Sequence, residues 1–191
     1  SARGAHHKSI ERVLRGTMAS DYFPVPLDKL ACKLNFVEMN GCADLPGVKV
    51  RYHPLNHPGG AIGFRVESQG RVLSYVSDHE TVARQFGPGA KNLAKDKALL
   101  DFVRGSDLFI CEAQYSEAEY GTKKGWGHST FNDVIDRSIA AEVKRLILFH
   151  HDPTHDDEMM DVYLQHCQER VRRAGSQLVC SAAQEGRRIE L

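Results

Sequence analysis

The sequence predicts a layered α/β fold with mixed sheets. Between Val48 and Ser77 the chain alternates polar and apolar residues in segments parted by short turns, the pattern of an antiparallel meander. From Leu93 onward, apolar residues at helical spacing alternate with short unbroken apolar runs, the rhythm of helix–strand units. Ionisable residues stand where the predicted strands end, and layered α/β proteins place their sites there.

The chain has 191 residues, enough for one domain with a real core and cramped for two, so residues 1–191 are expected to form a single domain. Lys+Arg and Asp+Glu balance at 25 each, so no global basic field argues for nucleic acid. The basic spots at Arg170, Arg172 and Arg173 and at Arg187 and Arg188 read as solvated faces. Five cysteines, scattered and without a C-x-x-C pair, signal neither a zinc knuckle nor a disulfide framework. A cytoplasmic protein with reduced thiols is expected. No apolar run approaches a membrane span, and Ser1-Ala2-Arg3-Gly4 is no signal peptide. Histidine is the outlier, with ten copies, several beside aspartates.

Taken in order, Ile10, Val13, Leu14 and Met18 predict a first helix over 8–18, ended by the Tyr22-Phe23-Pro24-Val25-Pro26 segment. Residues 33–38 read as a strand and 41–47 as a turn. Residues 48–55, 61–67 and 71–77 alternate as three meander strands, the last two joined by a hairpin-like Ser68-Gln69-Gly70. A helix over 93–104 stops at Gly105. A strand follows over 107–113. Gly125-Trp126-Gly127-His128-Ser129-Thr130 then leads into a helix with Phe131, Val134, Ile135, Ile139 and Val143 on one face. Ser129 or Thr130 can cap it, and Thr130 with Asp133 fits a capping box. Residues 145–149 form a buried strand, Pro153 and Thr154 open another helix, and 177–180 and 189–191 close the sheet.

His57, Asp78, Glu112 and His150 each follow or end one of these strands. Imidazole nitrogen and carboxylate oxygen are the donors that divalent zinc, manganese or iron takes. Such an ion binds a phosphate oxygen and brings the pKa of bound water near neutrality. Two adjacent ions would need a bridging carboxylate, for which Asp78 is the candidate. His57 before a proline also suits a turn, and Asp78 also suits a turn cap. His150, after an apolar run, is harder to explain without a ligand. His128 near a helix start, beside Lys123 and Lys124, suits an anionic substrate, although the two lysines also fit a solvated loop. His151 and Asp152 are read as standing behind the ligands. No G-x-S-x-G and no Gly-rich phosphate loop is present.

Together these residues resemble the metallo-β-lactamase-fold hydrolases, in the branch near ribonuclease Z and related phosphodiesterases. The carriers are residues 55–65 around His57, Leu73-Ser74-Tyr75-Val76-Ser77-Asp78, residues 107–115 around Glu112, Gly127-His128-Ser129-Thr130, and residues 145–153 around His150. Their order and spacing cover residues 22–153. The resemblance implies a four-layer αββα sandwich with a two-metal site at one edge. It implies His57, Asp78 and His150 as metal ligands, Asp78 bridging, and His128 as the residue assisting at the scissile phosphate. The activity implied is hydrolysis of a phosphodiester by metal-activated hydroxide, with zinc expected first and manganese or iron as alternatives. A small phosphodiester or nucleotide is the expected substrate, with nucleic acid less favoured.

Two departures qualify this. The family's His-x-His-x-Asp-His motif belongs upstream of Tyr22, and no His-x-His occurs in the sequence. His79 also stands where the family more often has threonine. The expectation is an N-terminally truncated, partial domain: a fragment of a longer hydrolase, inactive alone because three ligands hold at most one ion. A non-catalytic scaffold or regulatory module is the alternative. A missing sheet would leave an exposed edge, so self-association as a homodimer or by domain swapping is expected.

Overall fold

A computed structural model of the chain describes residues 9–36 and 41–191. By its internal contacts the chain separates into two units, Ser1–Asn40 and Gly41–Leu191. In the first, helix α1 (Ile10–Thr17) begins at Ser9, whose hydroxyl accepts from Arg12 N at 3.3 Å. This satisfies one of the donors that a helix start leaves open. Arg15 reaches both Glu11 and Asp28 at 2.9 Å, tying the helix to a 3₁₀ turn at Leu27–Lys29. Residues 33–36, expected to open a strand, form none; residues 37 and 38 lie outside the described residues. A strand needs a neighbour to complete its hydrogen bonds, and no described strand pairs with this stretch.

The second unit is built on one seven-stranded sheet in sequential order. Strands β1 (Cys42–Leu45), β2 (Val48–Leu55), β3 (Ala61–Ser68) and β4 (Arg71–Val76) pair antiparallel, as the meander pattern predicts. Strands β5 (Leu108–Glu112), β6 (Arg145–Phe149) and β7 (Val179–Ala182) continue the sheet in parallel. Each parallel step carries a helical crossover. Helices α2 (Val82–Phe86) and α3 (Ala90–Val103) lie between β4 and β5, α4 (Glu117–Lys123) and α5 (Phe131–Ala140) between β5 and β6, and α6 (Asp157–Arg173) between β6 and β7. Right-handed crossovers that step the same way across a sheet stack their helices on one face.

The core follows from that constraint. Val76, Phe109, Cys111, Leu146, Leu148 and Cys180 occupy matching register positions on one sheet face. They form one cluster with Leu99 and Val103 of α3, Val134 and Ile135 of α5, and Cys167 and Val171 of α6. The opposite face is also apolar, carrying Val50, Tyr52, Phe64, Tyr75, Ile110 and Ile147 at alternate positions. The described residues thus supply one β layer and one α layer of the four-layer sandwich.

Several boundaries differ from expectation. Residues 42–45 form β1 where a turn was expected, because the reversal is confined to Pro46-Gly47, with Gly47 at φ 74°. The helix expected at Thr154 starts at Asp157 under an Asp156 cap, since Asp152 takes up the Thr154 hydroxyl and N–H in a tight turn. The helix after His128 does start at Phe131 under Thr130, one of the two caps the sequence offers. Residues 189–191 form no strand. The capping box falls at Ser116 and Glu119, ahead of α4.

Phe109 is fully buried at the centre of this cluster. Phe109→Ala should cost about 3–5 kcal/mol of unfolding free energy, read from the urea midpoint. A loss near zero would show that the cluster is not the core of this unit.

Candidate metal and acid–base site

The direction of the strands assembles the site. β2, β4, β5 and β6 all run the same way, because two antiparallel steps separate β2 from β4. Their C-terminal ends therefore share one edge of the sheet. His57 lies two residues past β2, Asp78 two past β4, Glu112 ends β5 and His150 follows β6. Residues 93 positions apart in the chain, from His57 to His150, meet there.

Asp78 sits between two imidazoles. Its Oδ2 is 3.7 Å from His57 Nε2, and its Oδ1 is 3.7 Å from His150 Nε2. The His128 ring lies 5.2 Å from that of His57 and 5.2 Å from that of His150, centroid to centroid. Ligand atoms of Asp78, His128 and His150 all fall within 4.8 Å of one another, close enough to share an ion. His57 completes the group from the other carboxylate oxygen.

Local structure explains each orientation. His57 Nδ1 is 3.3 Å from the carbonyl oxygen of Gly127. A carbonyl only accepts, so Nδ1 carries the proton and Nε2 keeps its lone pair toward Asp78. Gly127 is required for this approach, because a β-carbon there would stand 2.1 Å from His57 Nδ1. His150 adopts φ 54°, a left-handed conformation that costs a non-glycine residue on the order of 1 kcal/mol. That turn off the end of β6 aims the ring at Asp78. Imidazole nitrogens around a carboxylate, one held as the correct tautomer by a carbonyl, fit zinc, manganese or iron.

His128 has a second partner. Its Nδ1 lies 3.6 Å from Oε2 of Glu112, a fully buried carboxyl whose other oxygen accepts from Ser129 N at 2.8 Å. Burial is the largest influence on Glu112 and raises its pKa to about 7, against the pull of His128 and Ser129 N–H. The pair leaves His128 Nε2 as the ring nitrogen free to face the site.

The loop bearing His128 hangs on Glu80. This fully buried carboxylate accepts from Gly125 N at 2.9 Å, Gly127 N at 3.0 Å and Tyr120 Oη at 2.6 Å. The sequence reading gave Glu80 no role and Glu112 only a strand-end position, because partners 40 to 47 residues from Glu80 cannot be seen in a local pattern. A run of Asp78-His79-Glu80 directly after an apolar strand was the available signal.

The other expected residues make no described contact with His57, Asp78 or His150. Lys123 Nζ lies over the Trp126 ring at 4.4 Å and 5.7 Å from the Tyr115 ring centroid, while Lys124 is exposed at the end of α4. His151 is half-buried, neither ring nitrogen has a described partner, and burial lowers its pKa. Asp152 holds the turn into α6 and makes no described hydrogen bond to a candidate ligand.

No family model matches the chain. Among curated proteins it is 37% identical over 101 residues to a ribonuclease Z of Agathobacter rectalis, covering 48% of this chain and 31% of that protein. It is 27% identical over 128 residues to a ribonuclease Z of Treponema denticola, covering 60% of this chain and 40% of that one. The chain thus spans between about a third and two fifths of those relatives. Among solved structures, unliganded yeast PDE1 aligns with a TM-score of 0.62 at 13% identity, over 93% of this chain and 56% of that one. The metallo-β-lactamase fold protein YhfI of Bacillus subtilis aligns with a TM-score of 0.57 at 13% identity, over 80% and 54%. The chain thus has the metallo-β-lactamase fold, and over about half of its length its sequence is similar to ribonuclease Z.

Proposed function

We propose that the chain carries the metal and acid–base residues of a metal-dependent phosphodiester hydrolase. The observation that carries this reading is the carboxylate of Asp78, whose two oxygens each face a different imidazole. His57, Asp78 and His150 would hold a divalent ion, zinc first, with manganese or iron as alternatives. When bound, such an ion supplies Lewis acidity toward a phosphoryl oxygen and makes water acidic enough to attack at neutral pH. Asp78 bridges the two sides of the site and anchors the ligands that flank it.

His128 delivers a proton to the leaving oxygen from Nε2, while Glu112 behind Nδ1 fixes the ring and balances its charge. This mirrors the base-and-orienter logic of other acid–base pairs. Lys123 and Lys124 supply positive charge along the approach of the phosphate. The substrate is a small phosphodiester or nucleotide. The two curated relatives are named ribonuclease Z, which makes an RNA phosphodiester the second reading. A cytoplasmic setting with reduced thiols is part of this reading. No helix among the described residues is long and apolar enough to cross a membrane.

The chain is further proposed to self-associate. Among the described residues β1 and β7 are the sheet edges, and Leu45 and Val179 on them expose 58% and 60% of their surface. Open edges and apolar faces of this kind pair with a second copy.

Titration with zinc should give about one bound equivalent per chain, removed by a chelator. Asp78→Asn and His150→Ala should each weaken binding by more than about 100-fold, beyond what residues that only support ligands produce. Full zinc affinity in both variants would sink the ligand assignment. Absence of metal-dependent bis-(p-nitrophenyl) phosphate turnover, in the protein as its gene encodes it, would favour the scaffold alternative.

Stability should report Glu112. Its folded pKa, about 7, lies above the unfolded value of 4.5. The contribution is therefore complete below 4.5 and is lost as pH rises through 7. Glu112→Gln should flatten the fall in melting temperature across that window. An unchanged slope would assign it to another group.

Light scattering at rising protein concentration should show mass growing beyond one chain. A constant monomer mass would end the self-association proposal.

A further inference from the structure

Trp126 is the only tryptophan in the chain and stands two residues before His128. Its indole is 57% exposed. The backbone beneath it is fixed: Gly125 N and Gly127 N donate to the buried Glu80 carboxylate, and Trp126 N donates to Lys123 O at 3.0 Å. Lys123 Nζ stands 4.4 Å from the ring centroid, a cation–π contact that sets the plane of the ring. A large π surface is thus open to solvent two residues from His128, on a backbone anchored to Glu80 and with an ammonium against it.

We infer that Trp126 is the platform on which the base of a nucleotide stacks while its phosphodiester lies at His128. The inference rests on the phosphodiesterase reading of that site and names its substrate class: a phosphodiester with a nucleobase next to the scissile phosphate, as opposed to a simple alkyl diester. Every base offers a π face, so stacking on an exposed aromatic ring recognises nucleotides without choosing among sequences. Lys123 beside the ring meets the charge of the attached phosphate. Holding the ring in place before binding lowers the ordering cost that an exposed, mobile side chain would add.

The single tryptophan makes the test direct. Titration with AMP should quench the indole emission saturably, whereas ribose 5-phosphate should leave it unchanged. Trp126→Ala should raise the AMP dissociation constant roughly 5- to 100-fold by calorimetry, and Trp126→Phe should recover part of that loss. Unchanged emission with AMP, equal quenching by ribose 5-phosphate, or wild-type AMP affinity in Trp126→Ala would each overturn the platform. An oligoribonucleotide arm separates the two sources of the same chemistry. Salt-dependent tightening relative to AMP marks an RNA end, and equal affinity marks a free nucleotide; either supports the platform. Turnover of methyl p-nitrophenyl phosphate without AMP quenching overturns the platform and spares the hydrolase reading. AMP quenching without any turnover, in the protein as its gene encodes it, supports the platform and overturns the hydrolase reading.

Discussion

The site depends on one buried carboxylate. Glu80 is completely enclosed, and burying an uncompensated charge costs on the order of several kcal/mol. Gly125 N, Gly127 N and Tyr120 Oη offset that cost by donating to it. Because two of those donors belong to backbone, the carboxylate fixes the path of the loop itself. The path brings Gly127 O to His57 Nδ1 and leaves the β-carbon position empty for the ring. The tautomer of His57, and so the lone pair it turns to Asp78, follows from the anchoring of a loop some 70 residues away.

A second constraint acts through topology. His57, Asp78, Glu112 and His150 converge because β2, β4, β5 and β6 run in one direction and end at one edge. No short-range pairing brings them together. The helices that fill the parallel crossovers cover one sheet face and leave the strand ends clear. Site geometry therefore follows from packing: the core holds the sheet against α3, α5 and α6, and the strand ends inherit their positions.

Much of this was legible in the sequence. The alternation of 48–55 matches β2 to the residue, and the run Arg145–Phe149 matches β6, because strand burial writes a period of two or an unbroken apolar run. The strand-end positions of His57, Asp78 and His150 were legible because each stands just past such a run. Short elements were not. α2 and the stretch Glu117–Lys123 carry too few apolar positions to show a helical period, and α4 is specified instead by the reciprocal Ser116–Glu119 cap. Residues 42–45 looked like a turn since glycines flank them, while β2 beside them decides their conformation. Glu80 was invisible for a related reason: its partners are backbone N–H groups, which every residue offers and no pattern marks.

The two buried glutamates show how environment divides one residue type into two roles. Glu80 meets three N–H or O–H donors, two of them backbone groups of the loop, and so works as a fixed anchor. Glu112 has one such donor, Ser129 N, and its second oxygen has no hydrogen-bond partner, standing 3.6 Å from His128 Nδ1. Equal burial with fewer donors leaves the charged form less favoured, which is why Glu112 rises to about 7. The fold thus uses one enclosed carboxyl to hold the loop still and places a second one, with fewer donors, behind His128.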